Sequence, residues 1–98
     1  MRTRVAEGML LKECRVTIVN RLGLHARPAM SFVDTAQTFK STIRVRNGDT
    51  DVDGKSIMEV MMLAATKGTS LLITADGDDA DKALDELKKL VASGFDEE

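Results

Sequence analysis

The sequence predicts an α+β fold, a two-layer sandwich in which three helices cover one face of a four-stranded antiparallel sheet. Four short segments have the apolar pattern of strands, and three others have the apolar spacing of amphipathic helices. An Asn-Gly dipeptide between two strand segments is typical of a tight hairpin turn. The segments follow the order β-α-β-β-α-β-α, and the 98 residues of the chain are enough for one such domain.

The first strand and the first helix flank a short loop. Val16 and Ile18 predict a strand that ends near Asn20. The helix that follows His25 should run to about Thr38, because its apolar residues recur at i, i+3, i+4 and i+7. These residues are Ala29, Phe32, Val33 and Ala36. One face of this helix is therefore expected to lie on the sheet.

The middle of the chain predicts a hairpin. Residues 41–46 alternate apolar and polar side chains, which is the pattern of a half-buried strand. Asn47 and Gly48 both tolerate the positive φ of a tight turn, and residues 50–53 form the return strand. Gly54 then ends the hairpin.

A second helix is predicted to begin at Ser56 and to stop near Gly68. Ser56 and Glu59 have the spacing of a capping box, in which each side chain binds the other residue's backbone N–H. Its inward stripe is predicted to be Val60, Leu63 and Ala64. Its outward residues are predicted to be Ile57, Met58 and Met61. Such an apolar outer side indicates a surface for partner proteins, because flexible methionines repack easily against different proteins. The alternative is that the third helix encloses this side of the second helix.

The last third of the chain predicts an interior strand and a long helix. Residues 69–75 have a continuous apolar centre, and the acidic turn at residues 76–79 is expected to cap the third helix. This helix should end at Gly94. Its predicted buried residues are Ala80, Ala83, Leu84, Leu87 and Val91, and its predicted exposed lysines are Lys82, Lys88 and Lys89.

The composition argues against several classes of function. A net charge of −2 and only three aromatic residues, all Phe, argue against a nucleic-acid surface. Cys14 is the single cysteine, so it forms no internal disulfide, makes a thiolate metal site improbable and is expected to be a buried strand residue. No apolar run has the length of a membrane span. We therefore expect a monomer in the cytoplasm, with an N-terminal extension at residues 1–13 and one domain at residues 14–98.

His25 is the single histidine, and it lies at or just before the start of the first helix. Pro28 is favoured in a first turn, because its missing N–H is one that the helix could not pair. Unpaired N–H groups and the positive end of the helix dipole favour an added anion there. Arg27 can offer its planar guanidinium to phosphoryl oxygens. The segment therefore predicts a phosphorylatable histidine, and the alternative is a histidine that only caps the helix.

A calcium site is a weaker alternative. Asp49, Asp51, Asp53 and Gly54 copy the first half of an EF-hand loop. The twelfth position of that loop is Val60 where the motif requires glutamate, and the segment before it alternates like a strand. The other interpretation is an acidic hairpin edge in solvent, which discourages edge-to-edge pairing.

GLHARPA at residues 23–29 and KSIMEVMMLAA at residues 55–65 resemble the histidine-containing phosphocarrier family HPr of the bacterial phosphoenolpyruvate-dependent phosphotransferase system. The resemblance implies an open-faced β-α-β-β-α-β-α sandwich and a carrier that is not an enzyme and needs no cofactor. It implies that His25 takes a phosphoryl group on Nδ1 from phosphorylated enzyme I and passes it to an enzyme IIA-type acceptor. Arg27 would balance the phosphoryl charge, and Pro28 would fix the helix start.

The resemblance also implies regulation and a docking surface. Ser56 matches the serine that a kinase and phosphorylase modifies in many members. The positions that match the family's docking surface are Ala26, Arg27, Met30, Ile57, Met58 and Met61. Asp34, Gln37 and Glu59 occupy helix surfaces that often carry lysines in the family, which indicates a less acidic partner.

Two branches of the family remain open. Residues 20–30 and the closing SGFDEE are similar to the nitrogen-related regulatory branch, whereas KSIMEVM is similar to the serine-regulated type. A regulatory carrier that is not coupled to sugar uptake is therefore the alternative within the family. His25 also lies later in the chain than is usual for the family, so either Met9 is the real start or the leader makes a contact of its own.

Overall fold

The computed structural model describes residues 11–97, and the predicted order of strands and helices is confirmed. The elements are β1 (Leu11–Thr17), α1 (Ala26–Gln37), β2 (Thr42–Asn47), β3 (Thr50–Asp53), α2 (Ile57–Met61), β4 (Ser70–Asp76) and α3 (Ala80–Ala92), followed by a 3₁₀ turn (Gly94–Asp96). Residues 1–10 lie outside the described part of the chain. The predicted extension at residues 1–13 thus stays a prediction, although its last three residues belong to β1.

The four strands form one antiparallel sheet in the order β1-β4-β2-β3. Ile73 of β4 lies between Cys14 of β1 and Val45 of β2. Leu71 and Ile73 face the core, whereas Leu72 between them lies on the other face of the sheet and is only partly buried. β1 and β3 are the edges of the sheet within the described residues.

The core lies between the sheet and the helix layer. Ile43 and Leu71 from the sheet, Phe32 from α1, Val60 from α2 and Leu87 from α3 are all buried. The predicted buried face of α1 and that of α3 are confirmed. α3 packs on β1 and β4, whereas α2 packs on α1 and β3. The helices therefore cover one face of the sheet, with α2 near one edge and α3 near the other.

The second helix is shorter than predicted. It ends at Met61, whereas the sequence predicted an end near Gly68. Leu63 and Ala64 donate three-residue hydrogen bonds back to Val60 and Met61, and Ala64 then adopts a left-handed φ of 49°. The chain leaves the helix to make tertiary contacts. The amide of Asn47 donates to the Leu63 carbonyl at 3.0 Å. Leu63 is buried as expected, but Ala64 is exposed and does not belong to the inward stripe.

Two predicted caps have different partners in the structure. Ser56 Oγ accepts from the Glu59 N–H at 3.2 Å, but the Glu59 carboxylate accepts from the Asp53 N–H at 3.0 Å and not from that of Ser56. Asp79 makes no side-chain cap of α3. Its carboxylate accepts three hydrogen bonds from Lys40 and Ser41, which fasten the start of β2 to the start of α3. These bonds, first that of the Ser41 hydroxyl, lower the pKa of Asp79 to about 2.

Other expectations concern single residues and the environment of the chain. Cys14 is only partly buried, and burial raises the pKa of its thiol. None of the helices in residues 11–97 has the length and apolar character needed to cross a bilayer. The monomeric state and the cytoplasmic location stay predictions.

Candidate functional site

His25 occupies the N-cap position of α1 with an extended backbone. Its carbonyl accepts the first helical bond, from the Ala29 N–H at 2.9 Å. The preceding helical N–H groups, those of Ala26 and Arg27, have no acceptor within the helix. The ring itself makes no side-chain hydrogen bond to the helix N–H groups, so His25 caps the helix through its backbone alone. The ring is 38% exposed, which leaves it open to a partner.

The loop before His25 is held tightly on the segment that follows α2. Leu24 donates its N–H to the Ala65 carbonyl at 2.9 Å. Gly23 has a φ of 71°, and a Cβ at this position would lie 2.5 Å from the same carbonyl oxygen. Only glycine fits both the positive φ and this close approach. The loop therefore presents His25 from a fixed backbone.

The C-terminal tail brings a carboxylate to the ring. Glu97 Oε1 lies 3.0 Å from His25 Nε2, and Phe95, which is buried, anchors the turn that precedes it. The buried Asn20 amide donates to Glu97 Oε1 at 3.0 Å and to the Gly23 carbonyl at 2.7 Å. The hydrogen bond from His25, followed by that from Asn20, lowers the pKa of Glu97 despite an opposing effect of burial.

This contact assigns different roles to the two ring nitrogens of His25. An ionised carboxylate only accepts hydrogen bonds, so the proton between the two groups belongs to Nε2. In the neutral ring, Nδ1 then carries the free lone pair. The arrangement can therefore present Nδ1 as a nucleophile, with a negative charge held at the far side of the ring.

Arg27 and Pro28 lie in the first turn of α1, as predicted. Pro28 is buried. Arg27 is exposed, and its charge contributes to the lowered pKa of Glu97, so it lies within electrostatic reach of the site. An exposed guanidinium at this position is free to contact an anion at the helix terminus.

An apolar surface adjoins the site. We name this apolar patch the docking surface, and it consists of the predicted residues Ala26, Met30, Ile57, Met58 and Met61 together with Leu22 and Met62. All seven are exposed. Met58 is 80% exposed, and α2 packs on α1 and β3, so the alternative that α3 encloses this helix is wrong.

The two helices of this surface run antiparallel, since they are joined at both ends. At one end the Leu24 N–H donates to the Ala65 carbonyl just beyond α2. At the other end the Gln37 amide, at the close of α1, donates to the Lys55 carbonyl just before α2. The start of α1, where His25 lies, is therefore next to the end of α2. The exposed methionines consequently lie between His25 and Ser56.

The polar residues near this surface are placed in different ways. Asp34 is exposed on α1, whereas Glu59 is half-buried and turned to the Asp53 N–H.

The calcium hypothesis receives no support. Asp51 accepts from Arg44 Nε at 3.2 Å, and within residues 11–97 no group of three or more His, Cys, Asp or Glu side chains is placed to hold a metal ion.

Four residues of the site and its surface were not predicted from the sequence: Asn20, Leu22, Met62 and Glu97. Glu97 contacts the histidine from the C-terminal tail, 72 positions away in the sequence, and Asn20 in turn donates to Glu97. Leu22 and Met62 are 59% and 67% exposed. A signal existed for these two, because large apolar side chains in a loop and at a helix end are candidates for a partner surface.

Comparisons with known proteins agree with this geometry. The family model "PTS HPr component phosphorylation site" matches residues 12–93. Phosphocarrier protein HPr of Pseudomonas aeruginosa is 52% identical over 83 residues, which cover 84% of this chain and 92% of that protein. Phosphocarrier protein NPr of Proteus mirabilis is 42% identical over 85 residues, which cover 86% and 94%. The crystal structure of HPr-C-His from Thermoanaerobacter tengcongensis has a TM-score of 0.85 at 44% identity and covers 89% of this chain and 98% of that one.

Proposed function

Because this chain belongs to the HPr family of phosphocarrier proteins, we propose that His25 carries the phosphoryl group, on Nδ1. The family makes the protein a carrier of the phosphotransferase system and not an enzyme. The observation that supports the assignment most strongly is the contact between Glu97 and Nε2, since it leaves Nδ1 as the nucleophilic nitrogen.

In the proposed transfer, the lone pair of Nδ1 attacks the phosphorus of a phosphorylated donor. The bond between phosphorus and the donor atom breaks, and its electron pair stays with the donor. The His25 ring gains positive charge as the new bond forms, and the Glu97 carboxylate at Nε2 stabilises that charge. The first-turn N–H groups and Arg27 are available to the phosphoryl oxygens.

We propose phosphorylated enzyme I as the donor and an enzyme IIA-type protein as the acceptor. The family supports partners of this kind, and the docking surface offers them an apolar contact beside His25. A carrier of the nitrogen-related branch is the second candidate, since the NPr relative also covers 86% of the chain. The two candidates predict different donors: a sugar-branch carrier should be phosphorylated faster by the enzyme I of the sugar branch, and a nitrogen-branch carrier by the enzyme I of the nitrogen branch.

We further propose that Ser56 is a regulatory site. It caps α2 and is followed directly by the exposed residues Ile57 and Met58. A phosphoryl group there would meet the positive end of the helix favourably, but it would add negative charge to the edge of an apolar surface. A serine kinase and phosphorylase would be the partner for this site.

The decisive experiment is phosphorylation from phosphoenolpyruvate and enzyme I, with the phosphate located by mass spectrometry under non-acidic conditions. We expect one phosphate on His25 and none on the His25→Ala variant. Ser56→Ala is the control, and it should be labelled like the unmodified protein. Labelling of a folded His25→Ala protein would contradict the proposed function. The acceptor is tested by adding enzyme IIA-type proteins of the sugar and nitrogen branches to the phosphorylated carrier.

A further inference from the structure

A groove lies at the opposite edge of the sheet from α2, between β1 and the C-terminal half of α3. Its volume is about 270 Å³. The residues that line it are Arg15, Val16, Thr17, Val19, Lys88 and Ala92. The proposed phosphotransfer uses none of them. This edge groove is smaller than the roughly 300–1,000 Å³ of most small-molecule sites, so it suits one or two side chains of a longer ligand.

The edge groove combines an apolar wall with positive charge. Val19 is 45% exposed and, with Val16 and Ala92, supplies apolar surface. Arg15 and Lys88 are the charged residues of the lining, and it contains no acidic side chain. Within residues 11–97 neither cation forms a salt bridge. In a chain with a net charge of −2, two unpaired cations beside an apolar groove indicate a ligand that is both apolar and anionic.

The backbone of β1 adds a second, independent indication. In residues 11–97, β1 pairs only with β4, so one side of this strand has backbone N–H and C=O groups that no other strand covers. Such an edge can pair with an extended peptide, whose alternate side chains then enter adjacent pockets. α3 packs against β1, and the core-facing side chains of an added strand would thus meet Lys88 and Ala92.

We propose that the edge groove binds an acidic, extended segment of a partner protein. The segment pairs with β1, places an apolar side chain in the groove and, two positions along on the same face, sets a carboxylate beside Lys88. None of the residues that line the edge groove belongs to the docking surface. The carrier would then bind this partner and a phosphotransfer partner at the same time.

A titration of the ¹⁵N-labelled full chain with two synthetic peptides tests the proposal. One peptide has valine and glutamate two positions apart, separated by threonine, so that both face the same side of an added strand, and the control has lysine in place of glutamate. The acidic peptide should shift the amide signals of β1 and of α3 near Lys88, and the lysine peptide should not. Lys88→Glu should raise the Kd of the acidic peptide at least about fivefold. Lys82→Glu is the matched control on the exposed side of α3, and it should change the Kd less than about twofold.

Three results would overturn the proposal. The first is equal binding of the acidic and lysine peptides. The second is an equal effect of Lys88→Glu and Lys82→Glu, since the contact would then depend only on net charge. The third is a shift of the groove signals on dilution of the protein without peptide, because a second copy of the chain would then be the occupant. Met58→Glu, on the docking surface, should leave peptide binding unchanged, and this readout separates the edge groove from the proposed phosphotransfer.

Discussion

Two substitutions in the same helix should separate docking from folding. Met58 is 80% exposed, whereas Val60 is fully buried two positions later. Burying a methionine completely stabilises a structure by roughly 1.5–3 kcal/mol, so a partner that covers the exposed part of Met58 gains about 1.2–2.4 kcal/mol. Met58→Glu should therefore raise the Kd for enzyme I by about 8- to 60-fold. Only about a fifth of Met58 is buried in the monomer and stabilises the folded state, so Met58→Glu should lower the Tm by no more than about 5 °C.

Val60→Ala should give the opposite result. It removes two methyl groups from a fully buried site, which costs about 2 kcal/mol of unfolding free energy once the cavity is included. In a domain of this size the Tm should fall by about 8–16 °C, while the Kd measured well below that Tm should stay within about twofold. Calorimetric titration with enzyme I and thermal unfolding by circular dichroism give the two quantities. If Met58→Glu lowers the Tm as far as Val60→Ala does, or leaves the Kd unchanged, the docking surface is wrongly assigned.

Three further variants test single groups. Arg27→Lys keeps the charge but loses the planar guanidinium, so transfer from enzyme I should slow several-fold at unchanged Tm, and equal rates would make Arg27 a general surface charge. Ser56→Asp keeps an N-cap and adds a favourable charge, so the Tm should hold or rise slightly while transfer slows modestly, and an unchanged rate would argue against regulation at Ser56. The pKa of Asp79, about 2 when folded and 3.8 ordinarily, means that its stabilisation is present above about pH 4 and is lost as the pH falls toward 2. Asp79→Asn should reduce stability at pH 7 and flatten its decline between pH 4 and 2 in urea unfolding, and an unchanged acid profile would contradict the role of this carboxylate.

The secondary structure that depends on local pattern could be predicted from the sequence. α1 ends within one residue of its predicted limit, and β3 has its predicted bounds, because helical spacing and the Asn-Gly turn are local signals. The end of α2 could not be predicted. Residues 61–65 are all compatible with a helix, and the chain leaves it because Asn47 and Leu24 bind the carbonyls of Leu63 and Ala65. These tertiary bonds outweigh local propensity.

The same distinction holds at the site. His25, Arg27 and Pro28 are adjacent in the sequence, so their motif was visible. Glu97 reaches the ring only because the tail turns at Gly94 and buries Phe95. The tail contains three acidic residues, and nothing in their order indicates which one contacts the histidine.

The contact with Glu97 has a consequence for a carrier that must both accept and release its group. In the proposed transfer a single lone pair on Nδ1 serves either direction, and the Glu97 carboxylate lies 3.0 Å from the other ring nitrogen, Nε2. The negative charge of the carboxylate stabilises the ring when the ring is positively charged, which favours formation of the bond to phosphorus. The carboxylate also keeps the proton on Nε2, so the ring remains a good leaving group when that bond breaks. Because the ring is 38% exposed, the partner's active site must supply the remaining desolvation. The carrier then holds the phosphoryl group without completing a reaction on it, which is the behaviour required of a protein that is not an enzyme.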